Sequence, residues 1–151
     1  MNQATLLFLK DGNRILLAMK KRGFGAGRWN GVGGKPDKGE TVNQAAVREC
    51  WEEVGVTPAE MKKSAILNFY FPGNKEKFNQ QVIVFMCTSW RGEPTETEEM
   101  SPKWFDIGDI PYTKMWSDDK YWLPRVIDGE YLEADFHFDN NDGLLDYKIK
   151  S

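Results

Sequence analysis

The stretch GKPDKGETVNQAAVRECWEEVGV, residues 34–56, carries the strongest structural signal in this chain. Its second half predicts a helix with a defined start, because Thr41 and Gln44 form a capping box in which each side chain bonds a free backbone N–H group. Gly55 stands where many helices end on a left-handed residue. We therefore expect a helix that begins just after Thr41 and ends at Gly55.

Three glutamates share one face of this helix. Glu49, Glu52 and Glu53 are spaced i, i+3 and i+4, so their carboxylates lie within about one turn of each other. Like charges at this spacing destabilise an isolated helix by roughly 0.2–0.5 kcal/mol per pair, so the cluster needs an explanation. One explanation is a solvated acidic face. The other is a platform for a hard divalent cation such as Mg²⁺, which takes oxygen ligands and bridges carboxylates to phosphates. The spacing alone leaves both open.

The surroundings of the cluster favour the second explanation. A glycine-rich turn, GVGG at residues 31–34, comes just before the helix. Glycines let backbone groups approach a phosphate or a metal closely. Glu40 and Arg48 flank the three glutamates, and we expect Glu40 to bond the helix N-terminus or to act as an outer metal ligand.

The complete pattern resembles the Nudix box. It consists of Gly34, five residues, Glu40, seven residues and then RECWEEVGV at residues 48–56. Cys50 stands where an aliphatic residue is usual, and cysteine packs as a small hydrophobe. The resemblance implies an α+β Nudix fold, with a mixed β-sheet sandwiched between helices, and a hydrolase that uses Mg²⁺.

Composition limits the other possibilities. The chain has 151 residues, of which 40% are hydrophobic and 28% charged, so we expect a single domain over residues 1–151. The net charge of −3 gives no general attraction to a nucleic acid polymer or an anionic membrane. Cys50 and Cys87 lack the spacing of metal ligands and indicate buried thiols of a reducing compartment. The apolar run Leu6–Leu9 ends at Lys10, so neither a signal peptide nor a membrane span is expected. We predict a cytoplasmic monomer.

Alternation and turn residues predict the remaining elements. Apolar runs at residues 4–10 and 14–20 are joined by Asp11-Gly12-Asn13, which predicts a hairpin of strands buried on both faces. A second hairpin is expected at 63–71 and 78–90, a short strand at 102–107 and a last hairpin at 130–138 and 144–149. We expect Ser117 to cap a second helix and Pro124 to break or kink it.

A second group of chemically informative residues lies at that helix start. Trp116, Asp118 and Asp119 fall within four residues. Helix capping explains the acids without any function, since negative charges at the helix N-terminus interact with the helix dipole and stabilise the helix by about 0.3–1 kcal/mol. A purine pocket explains them as well, because an indole stacks on a base while carboxylates bond its edge. Two close carboxylates also resist simultaneous ionisation, so one can stay protonated and donate.

Together with MKKRGFGAGRWNG at residues 19–31, this segment narrows the resemblance. The chain looks like the animal oxidised purine nucleoside triphosphatases, and the similarity runs from about Thr5 to Tyr147. That family hydrolyses 8-oxo-dGTP and 2-hydroxy-dATP to the monophosphate and pyrophosphate, which sanitises the nucleotide pool. The implied partner is thus a purine nucleoside triphosphate.

The resemblance also implies roles for individual residues. The base-reading residues would be Asn30, Asp118 and Asp119, with Trp116 as the stacking ring. The other substrate-binding residues would be Thr5, Lys20, Val32, Gly33, Gly34, Lys35 and Ser117. The metal would be held by Gly33, Glu49, Glu52, Glu53 and Glu99. Glu53, and next Glu52, would be the base, with Glu49 beside them and Arg48 orienting Glu52 or Glu53.

Two positions depart from the family pattern. The family has aromatic residues at Val32 and near Ala4, so we expect a wider pocket floor in this chain.

Two other functions remain open. The first is a Nudix hydrolase of another substrate, such as ADP-ribose, a dinucleoside polyphosphate, a nucleotide sugar or capped RNA. The second is a nucleotide sensor without activity, which the intact set of box glutamates disfavours.

Overall fold

A mixed β-sheet organises the described residues, 1–150, of this computed structural model. The strands are β1 (Asn2–Asp11), β2 (Arg14–Lys20), β3 (Trp29–Asn30), β4 (Thr57–Tyr70), β5 (Gln80–Arg91), β6 (Met100–Asp106), β7 (Leu132–Phe138) and β8 (Leu144–Ile149). The α-helices are α1 (Val42–Val54) and α2 (Asp119–Ile127), and short 3₁₀ segments cover Gly73–Phe78, Ile107–Asp109 and Tyr112–Lys114.

The sheet runs in the order β3-β2-β1-β5-β4-β7-β8, and β6 pairs with β2. The pairs β1–β5 and β4–β7 are parallel, while the other pairs are antiparallel. The predicted first hairpin exists, but β1 and β2 pair only next to the turn, at Lys10–Ile15 and Asp11–Arg14. Beyond the turn, β1 pairs with β5 and β2 pairs with β6, so β1 and β2 separate from each other.

Each sheet face carries one helix. Along β1, Phe8 points into the core under α2, whereas Leu7 and Leu9 point into the core under α1. Strand β5 divides in the same way, with Val84 on the α2 side and Phe85 on the α1 side. Strands that are hydrophobic on both faces are typical of a sheet covered on both sides. The predicted α+β architecture, a mixed sheet between helices, is confirmed.

The glycine-rich turn lies along the free edge of β1. Leu7 and Val32 exchange two backbone hydrogen bonds, of 2.6 and 3.0 Å, and the Thr5 N–H donates to the Gly34 carbonyl at 2.8 Å. A side chain at Gly33 is excluded, because its Cβ would lie 1.9 Å from the carbonyl oxygen of Thr5. The missing side chain therefore lets the turn pack against the strand.

Helix α1 has the predicted ends. Thr41 Oγ1 accepts from the Gln44 N–H at 3.1 Å and Gln44 Oε1 accepts from the Thr41 N–H at 2.9 Å, so the capping box is confirmed. Gly55 closes the helix in the left-handed region with φ 74°. The side chains of Ala46 and Cys50 are fully buried against the sheet.

The second predicted hairpin differs in its bounds. Strand β4 begins at Thr57 rather than at residue 63, β5 begins at Gln80 rather than at residue 78, and the 3₁₀ segment Gly73–Phe78 lies between them. The early part of β4 still pairs with β5, through several register shifts that follow Pro58. Such irregular pairing hides the alternation from which a strand is recognised.

Helix α2 contradicts two predictions. Ser117 does not cap it; Asp118 holds the N-cap position, and its side chain makes no capping hydrogen bond. Pro124 lies inside the helix without ending it, so of the expected break or kink the break is wrong. A proline here removes only one helical hydrogen bond, and the complete burial of Trp122 and Leu123 outweighs that loss.

Two further expectations concern cysteines and membranes. Cys50 and Cys87 are buried free thiols, as predicted. Within residues 1–150, neither helix has the length and apolar character that crossing a membrane requires.

The capping box predicts a measurable loss of stability. We expect Thr41→Ala to lower the free energy of unfolding by about 1 kcal/mol, because the Gln44 N–H loses its acceptor at the helix start. Thermal unfolding of the parent, Thr41→Ala and Thr41→Ser measures this loss. Thr41→Ser keeps the hydroxyl and should match the parent; equal destabilisation by both substitutions would contradict the capping role.

Candidate active site

The three box glutamates differ in their surroundings. Glu53 is only 4% exposed, and its Oε1 accepts a hydrogen bond of 2.9 Å from the backbone N–H of Gly33. Glu49 is half-buried against Gly34, where an added Cβ would come within 2.6 Å of its carboxylate. Glu52 is exposed. The glycine turn thus allows two carboxylates of α1 to approach the backbone of residues 33 and 34.

Arg48 holds the acidic side chains together. Its guanidinium bonds Glu40 in bidentate fashion at 2.9 and 3.0 Å, Glu49 at 2.6 Å and Glu52 at 3.2 Å. Arg48 therefore makes the expected hydrogen bond to Glu52, whereas Glu53 accepts from the Gly33 N–H instead. Glu40 also accepts from the N–H of Asp37, so it supports Arg48 instead of bonding the start of α1.

Burial makes two of these carboxyl groups hard to ionise. It raises the pKa of Glu53 to about 8, against the opposing hydrogen bond from Gly33, and the charges of Glu49 and Glu99 add to the rise. Burial also raises the pKa of Glu49, although Arg48 opposes it. Both acids therefore lie in an environment that a nearby cation would stabilise.

Glu99 comes from a loop that is tied to α1. The hydroxyl of Thr97 donates to the Glu53 carbonyl at 2.8 Å and accepts from the backbone N–H of Glu99 at 3.3 Å. Lys21 adds a bond from its N–H to the Glu99 carbonyl at 2.9 Å. This loop places the carboxylate of Glu99 close enough to influence both Glu49 and Glu53.

The side chains do not form a convergent metal cage. Among residues 1–150, no three histidine, cysteine or carboxylate side chains are grouped as metal ligands. Arg48 explains why, since it draws Glu49 and Glu52 towards itself. The donors nevertheless suit a hard divalent cation: all are oxygens, and Glu49, Glu53 and Glu99 repel each other.

A cavity of about 400 Å³ connects this region with the second group of residues. Glu53, Gly33 and Lys35 line it together with Trp116 and Asp119. Further aromatic side chains in the lining form an aromatic wall with Trp116, namely Phe24, Phe69, Phe71, Phe78, Trp122 and Phe138. A flat apolar ligand with a charged end fits such a lining.

Asp118 and Asp119 are buried in this cavity wall, at 1% and 3% exposure. Asp118 accepts a 2.7 Å hydrogen bond from the indole N–H of Trp122, whereas Oδ2 of Asp119 has no partner among residues 1–150. Burial raises the pKa of both carboxyls, and the charge of Asp118 raises that of Asp119 further. Asp118 makes no capping hydrogen bond, because its carboxylate accepts from Trp122 instead. Both acids still lie at the start of α2, so their interaction with the helix dipole stays a prediction.

The structure brings most of the predicted substrate-binding residues to the cavity. Thr5, Lys20, Asn30, Gly34 and the residues already named line it. The Nζ of Lys20 donates to the Phe24 carbonyl at 2.8 Å, and Oδ1 of Asn30 accepts from the Gly31 N–H at 2.8 Å.

Two predicted residues lie elsewhere. Val32 is buried in the core under α1 and not in the cavity lining, because Gly33 turns the chain and Val32 bonds β1. Ser117 is also outside the lining, and its hydroxyl donates to the Asp142 carbonyl at 3.4 Å. Of the two expected departures, only Ala4 therefore affects the cavity.

Several cavity residues were missed from sequence. Phe71 and Phe78 come from the connection between β4 and β5, Phe138 comes from the end of β7, and none of them carries a motif. Trp122 had a signal, since it lies four residues after Asp118 on one helix face. Arg28 had none.

Comparison with known proteins identifies the family. The model of the NUDIX domain matches residues 2–126. The chain belongs to the Nudix family. The predicted family and enzyme class, a Nudix hydrolase, are thus confirmed, and Nudix hydrolases generally need a divalent metal such as Mg²⁺.

Individual relatives match nearly the whole chain. The oxidized purine nucleoside triphosphate hydrolase of Danio rerio is 43% identical over 145 residues, which cover 96% of this chain and 92% of that protein. The protein of the same name from Mus musculus is 41% identical over 146 residues, or 97% and 92% of the two chains. The crystal structure of a MutT protein from Bacillus halodurans has a TM-score of 0.86 at 25% identity and covers 99% of this chain and 98% of that one. This structural match confirms the Nudix fold.

The buried acid pair predicts a pH dependence of stability. Its carboxyls have raised pKa values in the folded protein, that of Asp118 to about 6, so their stabilising effect is complete below the ordinary aspartate value and is lost as pH rises through the raised values. Asp119→Asn removes the titrating group. We expect its Tm relative to the parent to rise between pH 4 and pH 8, by roughly 3–6 °C per unit of pKa removed.

Asp135→Asn provides a control of opposite sign. Burial raises the pKa of Asp135, but hydrogen bonds from Asn68 and Lys150 outweigh it and lower the value. That variant should lose stability relative to its parent as pH rises. A pH-independent Tm difference for Asp119→Asn would show that Asp119 ionises normally.

Proposed function

We propose that this Nudix hydrolase cleaves oxidised purine nucleoside triphosphates, such as 8-oxo-dGTP and 2-hydroxy-dATP, to the monophosphate and pyrophosphate. One observation carries the proposal: a single cavity is lined both by a buried acid pair within an aromatic wall and by Glu53 beside the glycine turn. The names of the Danio rerio and Mus musculus relatives support the same substrate class. In the cell, this activity would sanitise the nucleotide pool.

The base would be read by Asn30, Asp118 and Asp119. A protonated carboxyl donates a hydrogen bond and an ionised one accepts, so a pair that shares one proton can meet a base edge that offers a donor beside an acceptor. Oδ2 of Asp119 is buried in the cavity wall without a partner, as expected of a group that bonds a ligand. The aromatic wall, including Trp116, would stack on the purine rings.

The triphosphate would extend towards Gly33, Gly34 and Lys35, which line the same cavity. Mg²⁺ would be held by Glu49, Glu52, Glu53, Glu99 and the Gly33 carbonyl; when bound, it neutralises phosphate charge and acidifies water. Lys20 and Lys35 add positive charge to the lining.

Glu53 is proposed as the residue that accepts the proton of the attacking water, with Glu52 as the next candidate. The Gly33 N–H fixes one carboxylate oxygen of Glu53. Because burial raises the pKa of Glu53, the acid would need the nearby cation to keep it ionised, and its other oxygen could then accept the proton. Arg48 positions Glu49 and Glu52 through hydrogen bonds and does not line the cavity. The water would attack a phosphorus in line with the leaving group.

The substrate assignment is tested by kinetics at neutral pH with Mg²⁺. We expect 8-oxo-dGTP and 2-hydroxy-dATP to be hydrolysed with a higher kcat/KM than dGTP or ADP-ribose, and a chelator to abolish turnover. Preference for ADP-ribose would assign the chain to another substrate class. Action as a cytoplasmic monomer and a single domain over residues 1–151 stay predictions.

The role of Glu53 gives a second test. We expect Glu53→Gln to lower kcat by at least about 100-fold, because the amide cannot accept a proton. The fold should persist, since the amide oxygen can still accept from Gly33 and a neutral group suits the buried position. Thermal unfolding and kcat are measured together, with the exposed Glu93→Gln as control. Parental turnover by Glu53→Gln would remove Glu53 from catalysis.

The role of Asp119 in selectivity gives a third. We expect Asp119→Ala to reduce the preference for 8-oxo-dGTP over dGTP by about tenfold or more, because the base edge loses a buried hydrogen-bond partner. The Mg²⁺ dependence should stay unchanged. Asp128→Ala, at the exposed far end of α2, is the matched control. Unchanged selectivity in Asp119→Ala would limit Asp119 to a structural role.

A further inference from the structure

Trp116 has a cationic neighbour that the proposed function does not use. The Cζ of Arg28 lies over the indole, 4.2 Å from the ring centroid. Both residues line the cavity, so Arg28 adds to the aromatic wall at Trp116. A guanidinium stacks on an aromatic face and offers a flat surface of its own.

The carboxylate of Asp142 holds Arg28 from the side. Its Oδ2 lies 3.4 Å from the guanidinium, and its Oδ1 lies 3.0 Å from Nζ of Lys75. The side chain of Arg28 is 31% exposed, that of Asp142 18% and that of Lys75 30%. Water therefore screens the attraction between these charges less than that of a fully exposed ion pair. One carboxylate therefore binds two cations at once.

Asp142 thereby joins separate segments around the cavity. Arg28 belongs to the glycine-rich loop before β3, and Lys75 to the 3₁₀ segment that carries Phe78. The hydroxyl of Ser117, the residue after Trp116, donates to the Asp142 carbonyl at 3.4 Å. All three connections meet at the turn between β7 and β8.

The backbone of Asp142 is unusual as well. Its φ of 62° makes it the one non-glycine residue of the described chain in the left-handed region. Aspartate and asparagine adopt this conformation more readily than other side chains. The turn is further held by Asp139, whose Oδ1 accepts from the N–H groups of Asn141 and Gly143.

We propose that Asp142 is a positioning residue for base recognition. It fixes Arg28 against Trp116, so that guanidinium and indole form a composite stacking surface for the purine, and through Lys75 it holds the Phe78 segment at the cavity. The inference rests on the proposed function, because the surface would stack on the purine base of the proposed substrate. Asp142 itself does not line the cavity.

The main test replaces Asp142 with asparagine, which keeps the left-handed backbone and removes the charge. We expect Asp142→Asn to raise KM for 8-oxo-dGTP on the order of tenfold with kcat within about twofold, because stacking contributes to binding and not to the chemical step. The Kd for the product 8-oxo-dGMP, measured by calorimetry, should weaken by the same factor.

Two further variants separate positioning from charge. Arg28→Lys keeps the positive charge and loses the plane, and it should weaken binding as Asp142→Asn does. Because the two residues act as one unit, the double variant Arg28→Lys/Asp142→Asn should bind no worse than the weaker single variant. Glu130→Gln, which breaks the remote Arg125–Glu130 ion pair, is the matched control and should bind as the parent.

The outcomes are distinguishable. If the parent binds 8-oxo-dGMP and Asp142→Asn binds it equally well, the inference is wrong while the proposed function stands; a lowered Tm with unchanged KM would overturn the inference in the same way. A fall in kcat as large as the change in KM would place Asp142 in the chemistry, which also overturns it. If the parent binds no oxidised purine nucleotide, the proposed function fails and the inference fails with it.

Discussion

The contact between the glycine turn and β1 is the constraint on which the rest of the structure depends. Residues 32–34 bond the free edge of β1, and Gly33 has no room for a side chain next to the Thr5 carbonyl. That contact brings the Gly33 N–H to the carboxylate of Glu53, although the two residues are separated by most of α1. Without it, the acidic face of the helix and the cavity would be separate features.

Burial and charge act against each other on both sides of the cavity. On the α1 side, Arg48 offsets the repulsion among Glu40, Glu49 and Glu52, while Glu53 is left in an environment that favours its neutral form. On the α2 side, Asp118 accepts a hydrogen bond from the neutral indole N–H of Trp122. Oδ2 of Asp119 has no hydrogen-bond donor among residues 1–150. Carboxyls kept from ionising, or from pairing, in a cavity are typical of groups that bind a ligand or a proton.

Local patterns were sufficient for part of the fold. The capping box, the terminal glycine of α1 and the two-faced apolar strands were predicted correctly, since each depends on neighbouring residues and on burial alone. Ser117 was assigned wrongly as a cap, because a motif cannot show that Asp118 bonds Trp122 and takes the cap position. The start of β4 was missed because its pairing with β5 is irregular.

By itself, the sequence determined the family, the acidic helix face and the identity of the acid pair, because these are properties of residues close together in the chain. Only the tertiary structure decided which of them share a cavity: Val32 was excluded from it, while Arg28, Phe78 and Phe138 were added. It also decided that Asp142 meets Arg28 and Lys75. Such contacts arise from sheet order and strand pairing, in which distant segments are brought together by burial of a common core, and no local spacing encodes them.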